Sequence, residues 1–186
     1  MKKAEDNQCA FPFIDQVRQD RYWYLKPGME ARLIQSLDQP KTTPIHKPPI
    51  RFALISCSKS KLETEAPARD LYTGQLFRKA VAWAERQQLQ WFVVSALHGL
   101  LLPDQTVSPY NYTVKNLRVR ERQQWAHTVV AGSLTRYAPP HSHAILILPE
   151  LYRRFIEFQL FHHKITYENP LKGLGIGQQL KWLADN

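Results

Sequence analysis

The chain has 186 residues, 44% of them hydrophobic, which suits one domain with a buried core. No apolar run approaches the ~20 residues of a membrane-spanning helix, MKKAEDNQCAFPF lacks the apolar core of a signal peptide, and two cysteines, Cys9 and Cys57, make no disulfide framework, so the expected compartment is the cytoplasm. The net charge is +9, and residues 51–136 hold twelve Lys and Arg against six Asp and Glu, an excess that points to a polyanionic partner, nucleic acid first, with a merely soluble basic surface as the alternative.

Residues 1–49 read as an N-terminal extension ahead of a domain over 50–186. Pro12, Pro27 and Gly28 interrupt the extension, and the four prolines of Gln39–Pro49 predict an extended linker. Met29, Leu33, Ile34 and Leu37 fall on one face of a short helix. Arg21, Tyr22, Trp23 and Tyr24 either stack on bases or dock the extension onto the domain.

The domain opens with Phe52–Ile55, an apolar run that reads as a buried parallel strand. It breaks into Ser56, Cys57, Ser58, Lys59, Ser60 and Lys61, small groups and cations where open α/β sheets collect ligands. Leu76, Ala80, Trp83 and Ala84 predict a helix starting after Thr73, its candidate N-cap. Trp91–Ala96 is a second strand, running into a long loop with His98, Gly99, Asp104 and Tyr110. A helix follows over Val119–Tyr137, stopped by Pro139 and Pro140. Ala144–Leu148 is a third strand, Pro149–His162 a helix, Lys164–Tyr167 a fourth strand, and Gln178–Ala184 a last helix. Strand–helix alternation with right-handed crossovers predicts a mainly parallel sheet covered on both faces, a three-layer α/β/α sandwich.

The segments SCSKSKL, ARDLYTGQLFRKA, WFVVSALHGLLLPD, SPYNYT and NPLKGLGIG resemble a family of small bacterial and phage proteins. That family is distantly similar to the uracil-DNA glycosylases and to the core domain of archaeosine synthases. The resemblance covers residues 50–183 and implies a four-stranded parallel sheet in order 2-1-3-4, with the site built from the loops after strands one and four. The glycosylase His-Pro-Ser-Pro loop would fall at Glu168, Asn169, Pro170 and Leu171, where the histidine is absent, and no acid stands in the first loop. Both departures argue against ordinary uracil excision. The archaeosine synthases place a lysine in a Pro-Cys-x-x-x-Lys context, to which Lys59 or Lys61 would correspond.

Cleaving an N-glycosidic bond needs stabilisation of an oxocarbenium-like sugar, a positioned water or carboxylate, and a donor or cation for the departing base. Asp70 is the candidate carboxylate, or simply an acid complementing a helix dipole. His98 is the candidate donor, or a satisfied loop histidine. Lys59 either stabilises negative charge or acts as an amine nucleophile. Ser56, Cys57, Ser58, Lys61, Tyr72, Asp104, Tyr110, Glu168, Asn169 and Lys172 are the candidate substrate contacts, and Lys115, Arg118, Arg120 and Arg122 the candidate DNA-backbone contacts. Gly173, Gly175 and Gly177 can cradle a phosphate or allow close packing, but the dinucleotide fingerprint belongs after the first strand, so no cofactor is expected. His141, His143, His162 and His163 lack zinc spacing with cysteine, so no metal is expected. The expected function is a glycosylase-like enzyme acting on a modified base in DNA, in phage defence or base modification. The rivals are a non-catalytic DNA- or nucleotide-binding module and a lysine-dependent base-modifying transferase.

Overall fold

The computed structural model describes residues 49–186. The expected helix over Met29–Leu37, the aromatic cluster at Arg21–Tyr24 and nearly all of the proline-rich stretch lie outside them.

Strand β1 (Arg51–Ser56) is the centre of the sheet. It pairs in parallel with β3 (Gln90–Ser95) on one side and with β6 (His143–Ile147) on the other, in registers Phe52–Gln90 and Arg51–His143. Buried on both faces, these strands read as continuous apolar runs. β7 (Thr166–Glu168) pairs in parallel with β6 and is exposed along its length. The four parallel strands therefore lie in the expected order 2-1-3-4.

The sheet has five strands, not four. Gly99–Leu101, expected as loop, is a short strand β4 that turns back antiparallel onto β3, pairing Gly99 with Ser95 and Leu101 with Val93. Gly99 supplies the left-handed backbone of the turn, φ +72°. Beyond it, β5 (Thr106–Val107) pairs with β2 (Ala66–Pro67) as a separate small ribbon. The long loop is thus largely structured.

A one-turn helix α1 (Ala68–Leu71) precedes α2 (Gln75–Arg86). The N-cap of α2 is Gly74 rather than Thr73, and no side chain caps it. Phe77, Ala80, Trp83 and Ala84 bury one stripe of α2 on the strand face formed by Ala53, Ile55, Trp91, Val93, Ile145 and Ile147. The C-terminal helix α5 (Ile176–Asp185) joins this layer through Leu183 and a Trp83–Trp182 ring contact at 5.5 Å. The alternate strand set, Phe52, Leu54, Phe92, Val94, Ala144 and Leu146, is equally buried on the opposite face. Helices α3 (Val119–Val130) and α4 (Glu150–His162) pack on each other there. Helix α3 stops seven residues short of the expected Tyr137: the chain passes Gly132, a poor helix former, and turns through a 3-10 segment at Leu134–Arg136.

Candidate active site at the carboxyl edge of the sheet

β1 leaves the sheet through α2 toward β3, while its neighbour β6 leaves through α4 toward β7. The two connections diverge, so the carboxyl ends of β1 and β6 flank a topological switch point, the place where open α/β sheets bind ligands. A groove of about 160 Å³ lies there. Ile55, Ser56 and Ile147 line it from the strands, Leu76, Phe77 and Ala80 from α2, Cys57 and Ser58 from the loop after β1, and Pro149 from the start of the helix that follows β6.

The loop after β1 is held by its own small side chains. The Cys57 amide continues the ladder by donating to the Val94 carbonyl at 3.1 Å. Ser58 Oγ donates to the Ser60 carbonyl and accepts from the Gly74 amide at 3.2 Å. A Cβ at position 74 would lie 2.7 Å from Ser58 Cβ, so only glycine lets α2 start this close to the loop. Lys61 then pairs with Tyr72 in an antiparallel bridge, and its ammonium donates to the Ser58 carbonyl at 3.0 Å and the Lys59 carbonyl at 3.3 Å. Lys61 is therefore both a clasp on the loop and a fixed positive charge.

That charge sits 4.4 Å from the centre of the Tyr110 ring and 5.6 Å from that of Tyr72. Tyr110 OH shares hydrogen bonds with Ser95 Oγ at 2.7 Å and Tyr72 OH at 3.0 Å. Ser95, fully buried at the end of β3, accepts from the His98 amide at 3.0 Å and the Leu97 amide at 3.3 Å, while its carbonyl accepts from Trp125 Nε1 at 3.1 Å. The His98 imidazole meets the Tyr110 ring edge-on at 5.1 Å. On the other side of the loop, Cys57 Sγ lies 3.9 Å from Tyr152 OH of α4. Burial lowers the pKa of Lys61 and of His98. It pushes the Tyr72 hydroxyl up to about 12, and raises Tyr110 and Tyr152 further, so all three phenols stay protonated and serve as neutral donors.

The structure brings together Ser56, Cys57, Ser58, Lys61, Tyr72, His98 and Tyr110. Lys59 is on the same loop but its side chain is exposed and only its carbonyl is engaged. Two of the three candidate acids, Asp104 and Glu168, go elsewhere. β4 turns the chain back along β3, so Asp104 lands beside α1, 3.1 Å from Arg69, whose guanidinium lies 5.9 Å from the Trp91 ring at the amino end of β3. Asp70 is exposed on α1, whose buried residues are Ala68 and Leu71. Glu168 is paired with Ile145 in mid-strand, and its carboxylate reaches Arg51 at 3.4 Å and His143 at 3.5 Å, at the amino ends of β1 and β6. Asn169 Oδ1 accepts from the Leu171 amide at 3.0 Å and so shapes a turn; Lys172 is exposed on that turn. Among the described residues no group of three or more His, Cys, Asp or Glu is placed to hold a metal ion.

The turn that opens the basic segment meets Tyr152 through one backbone contact. The 3-10 turn Val114–Asn116 packs on α4, and the Val114 backbone reaches Tyr152, the partner of Cys57. Arg122 is committed to this turn, donating to the carbonyls of Val114 at 3.1 Å and Lys115 at 2.9 Å. Lys115, Arg118 and Arg120 are exposed, and the Arg118 amide is capped by Glu121. Sequence reasoning missed Ser95 and Tyr152. A polar residue closing an otherwise apolar strand was the available signal for Ser95; nothing local marked Tyr152.

Comparison with curated proteins and with solved structures gives no match. A family model described as a family of unknown function, DUF6884, matches residues 52–185. That span runs from β1 to the end of α5 and contains the groove, the tyrosine–serine cluster and the basic segment, and the chain belongs to this family.

Proposed function

We propose that the chain is a nucleic-acid-directed enzyme that cleaves the N-glycosidic bond of a modified base, with DNA as the polymer. The observation that supports this reading is the meeting of Lys61, His98 and Tyr110 at the carboxyl edge, together with an exposed basic segment. Lys115, Arg118 and Arg120 would hold phosphates without reading sequence. Tyr110 and His98 offer rings against which a base can lie. Among the described residues no carboxylate is paired with the cluster, so the neutral imidazole of His98 is the group that would accept a proton from an attacking water. Water oxygen would bond to the sugar C1′ as the C1′–N bond breaks; the electron pair leaves with the base, and the Lys61 charge stabilises it.

A second reading, a lysine-dependent transferase, is favoured by one observation: burial lowers the Lys61 pKa and so eases its use as an amine nucleophile. Incubating the protein with DNAs carrying different modified bases, followed by mass spectrometry, separates the readings. Free base and an abasic strand are expected. A covalent base–lysine adduct, found by mass spectrometry and lost in Lys61→Ala, would select the second reading. Tight binding with no released base would overturn both in favour of a recognition module.

A further inference from the structure

The groove at the ends of β1 and β6 is chemically unlike the cluster beside it. Six of its lining residues, Ile55, Leu76, Phe77, Ala80, Ile147 and Pro149, are apolar, and among the described residues no charged side chain lines it. The strand end and loop that form its remaining wall have already used their hydroxyl protons: Ser56 Oγ donates to the Cys57 carbonyl at 3.1 Å and Ser58 Oγ to the Ser60 carbonyl. A polar group entering the groove would give up water and find neither serine hydroxyl proton free to replace it. An apolar group would exchange water for carbon. At about 160 Å³ the space is far too small for a helix or a peptide strand. It matches the cavity of about 150 Å³ that accepts a benzene-sized molecule when lined by Leu, Ile and Phe. The same loop, through Cys57, also contacts Tyr152 and carries Lys61, so groove and cluster share a wall.

We infer that this groove is a specificity subsite for an apolar, ring-sized substituent carried by the base, and that the substrates are bases bearing such a group. The identity of the ligand as a base rests on the function proposed above; the apolar preference does not.

The test compares 6-benzylaminopurine with adenine, two purines differing by one apolar ring. Calorimetric titration should show the benzyl compound binding about ten-fold or more tightly, the return for burying one such group. Leu76→Trp, at a half-buried position on the groove wall, should bring the two affinities together while circular dichroism stays unchanged. If that variant does not fold, alkylation of Cys57 by N-ethylmaleimide in a Cys9→Ser protein locates the ligand: the benzyl compound should protect at concentrations where adenine does not. Equal affinities, no binding of either purine, an unchanged preference in folded Leu76→Trp, or no protection of Cys57 would overturn the subsite. None of these readouts needs turnover. Release of modified bases from DNA with no preference for an apolar substituent would sink the subsite and leave the glycosylase reading standing. Benzyl-selective binding without any base release would do the reverse.

Discussion

His98 is the residue on which enzyme and binder part. Its backbone is fixed by the buried Ser95 hydroxyl, and its ring stands against Tyr110, partly covered and partly open to solvent. Burial lowers its pKa below 6.5, so the ring is neutral near pH 7 and can accept a proton. The sign for stability follows. The unfolded chain protonates this histidine more readily, so its contribution is whole above 6.5 and is lost as pH falls through the lower folded value. His98→Gln should remove that part of the acid destabilisation, read from urea unfolding on either side of 6.5. His98→Ala should cut turnover of a proven substrate by about 10²–10⁴-fold while leaving DNA affinity nearly intact. Full turnover in a folded His98→Ala protein would remove it from the mechanism. His98, Lys61 and the Ser56–Ser58 loop were legible because each directly follows or ends an apolar strand. The positions of Asp104 and Glu168 were not. Asp104 lies only six residues after His98, but a three-residue antiparallel strand between them carries it down the sheet. Glu168 follows the pleat of β7 toward Arg51 and His143. Chain position locates a loop; strand pairing decides which end of the sheet a side chain reaches.

Among the elements, the basic turn and α3 show how charges split between folding contacts and exposed surface. Sequence composition grouped Lys115, Arg118, Arg120 and Arg122 as equals. In the fold, the two carbonyls bound by Arg122 close the turn that packs on α4, and its side chain is half-buried. Arg122→Ala should therefore cost about 1–3 kcal/mol of stability, the range for leaving such groups unpaired, and weaken DNA binding only through the turn. Lys115 and Arg120 carry no such duty. Neutralising both should leave the unfolding midpoint unchanged and lower the slope of log K against log salt by about two. Filter binding across a salt series tests this; a slope unchanged in the double variant would make the patch a solvated surface. The strands that sequence located best were β1, β3 and β6, whose apolar runs are long and buried on both faces. β4 at three residues, and the two-residue β2 and β5, are too short to carry a period, and their pairing partners are set by the tertiary fold.

The sheet is a stiff centre with thin edges, and the site is on the stiff part. Strand–helix alternation and the handedness of crossovers imply parallel strands with helices on both faces, and that much is legible in the sequence. The fifth strand was not, because a hairpin back onto β3 needs only a turn glycine and three residues. β1 shares ladders with two neighbours over its length, whereas β7 has one neighbour and no buried residue. The small β2–β5 ribbon lies outside the main sheet. Local opening energies should follow this layout. Native-state hydrogen exchange should find the amides of Phe52–Ile55, Phe92–Val94 and Ile145–Leu146 protected up to the global unfolding free energy. Those of Thr166–Glu168 and Thr106–Val107 should exchange through smaller openings. Leu54→Ala, at a fully buried position in the centre of the sheet, should cost about 2–5 kcal/mol, while Tyr167→Ala on the exposed edge should fall within about 0.5 kcal/mol of the parent. The groove and the Ser95 cluster hang from β1, β3 and β6, so Tyr167→Ala should leave ligand binding unchanged even as it speeds exchange in β7. A loss of binding there would mean that the edge strand, not the central three, sets the geometry of the site.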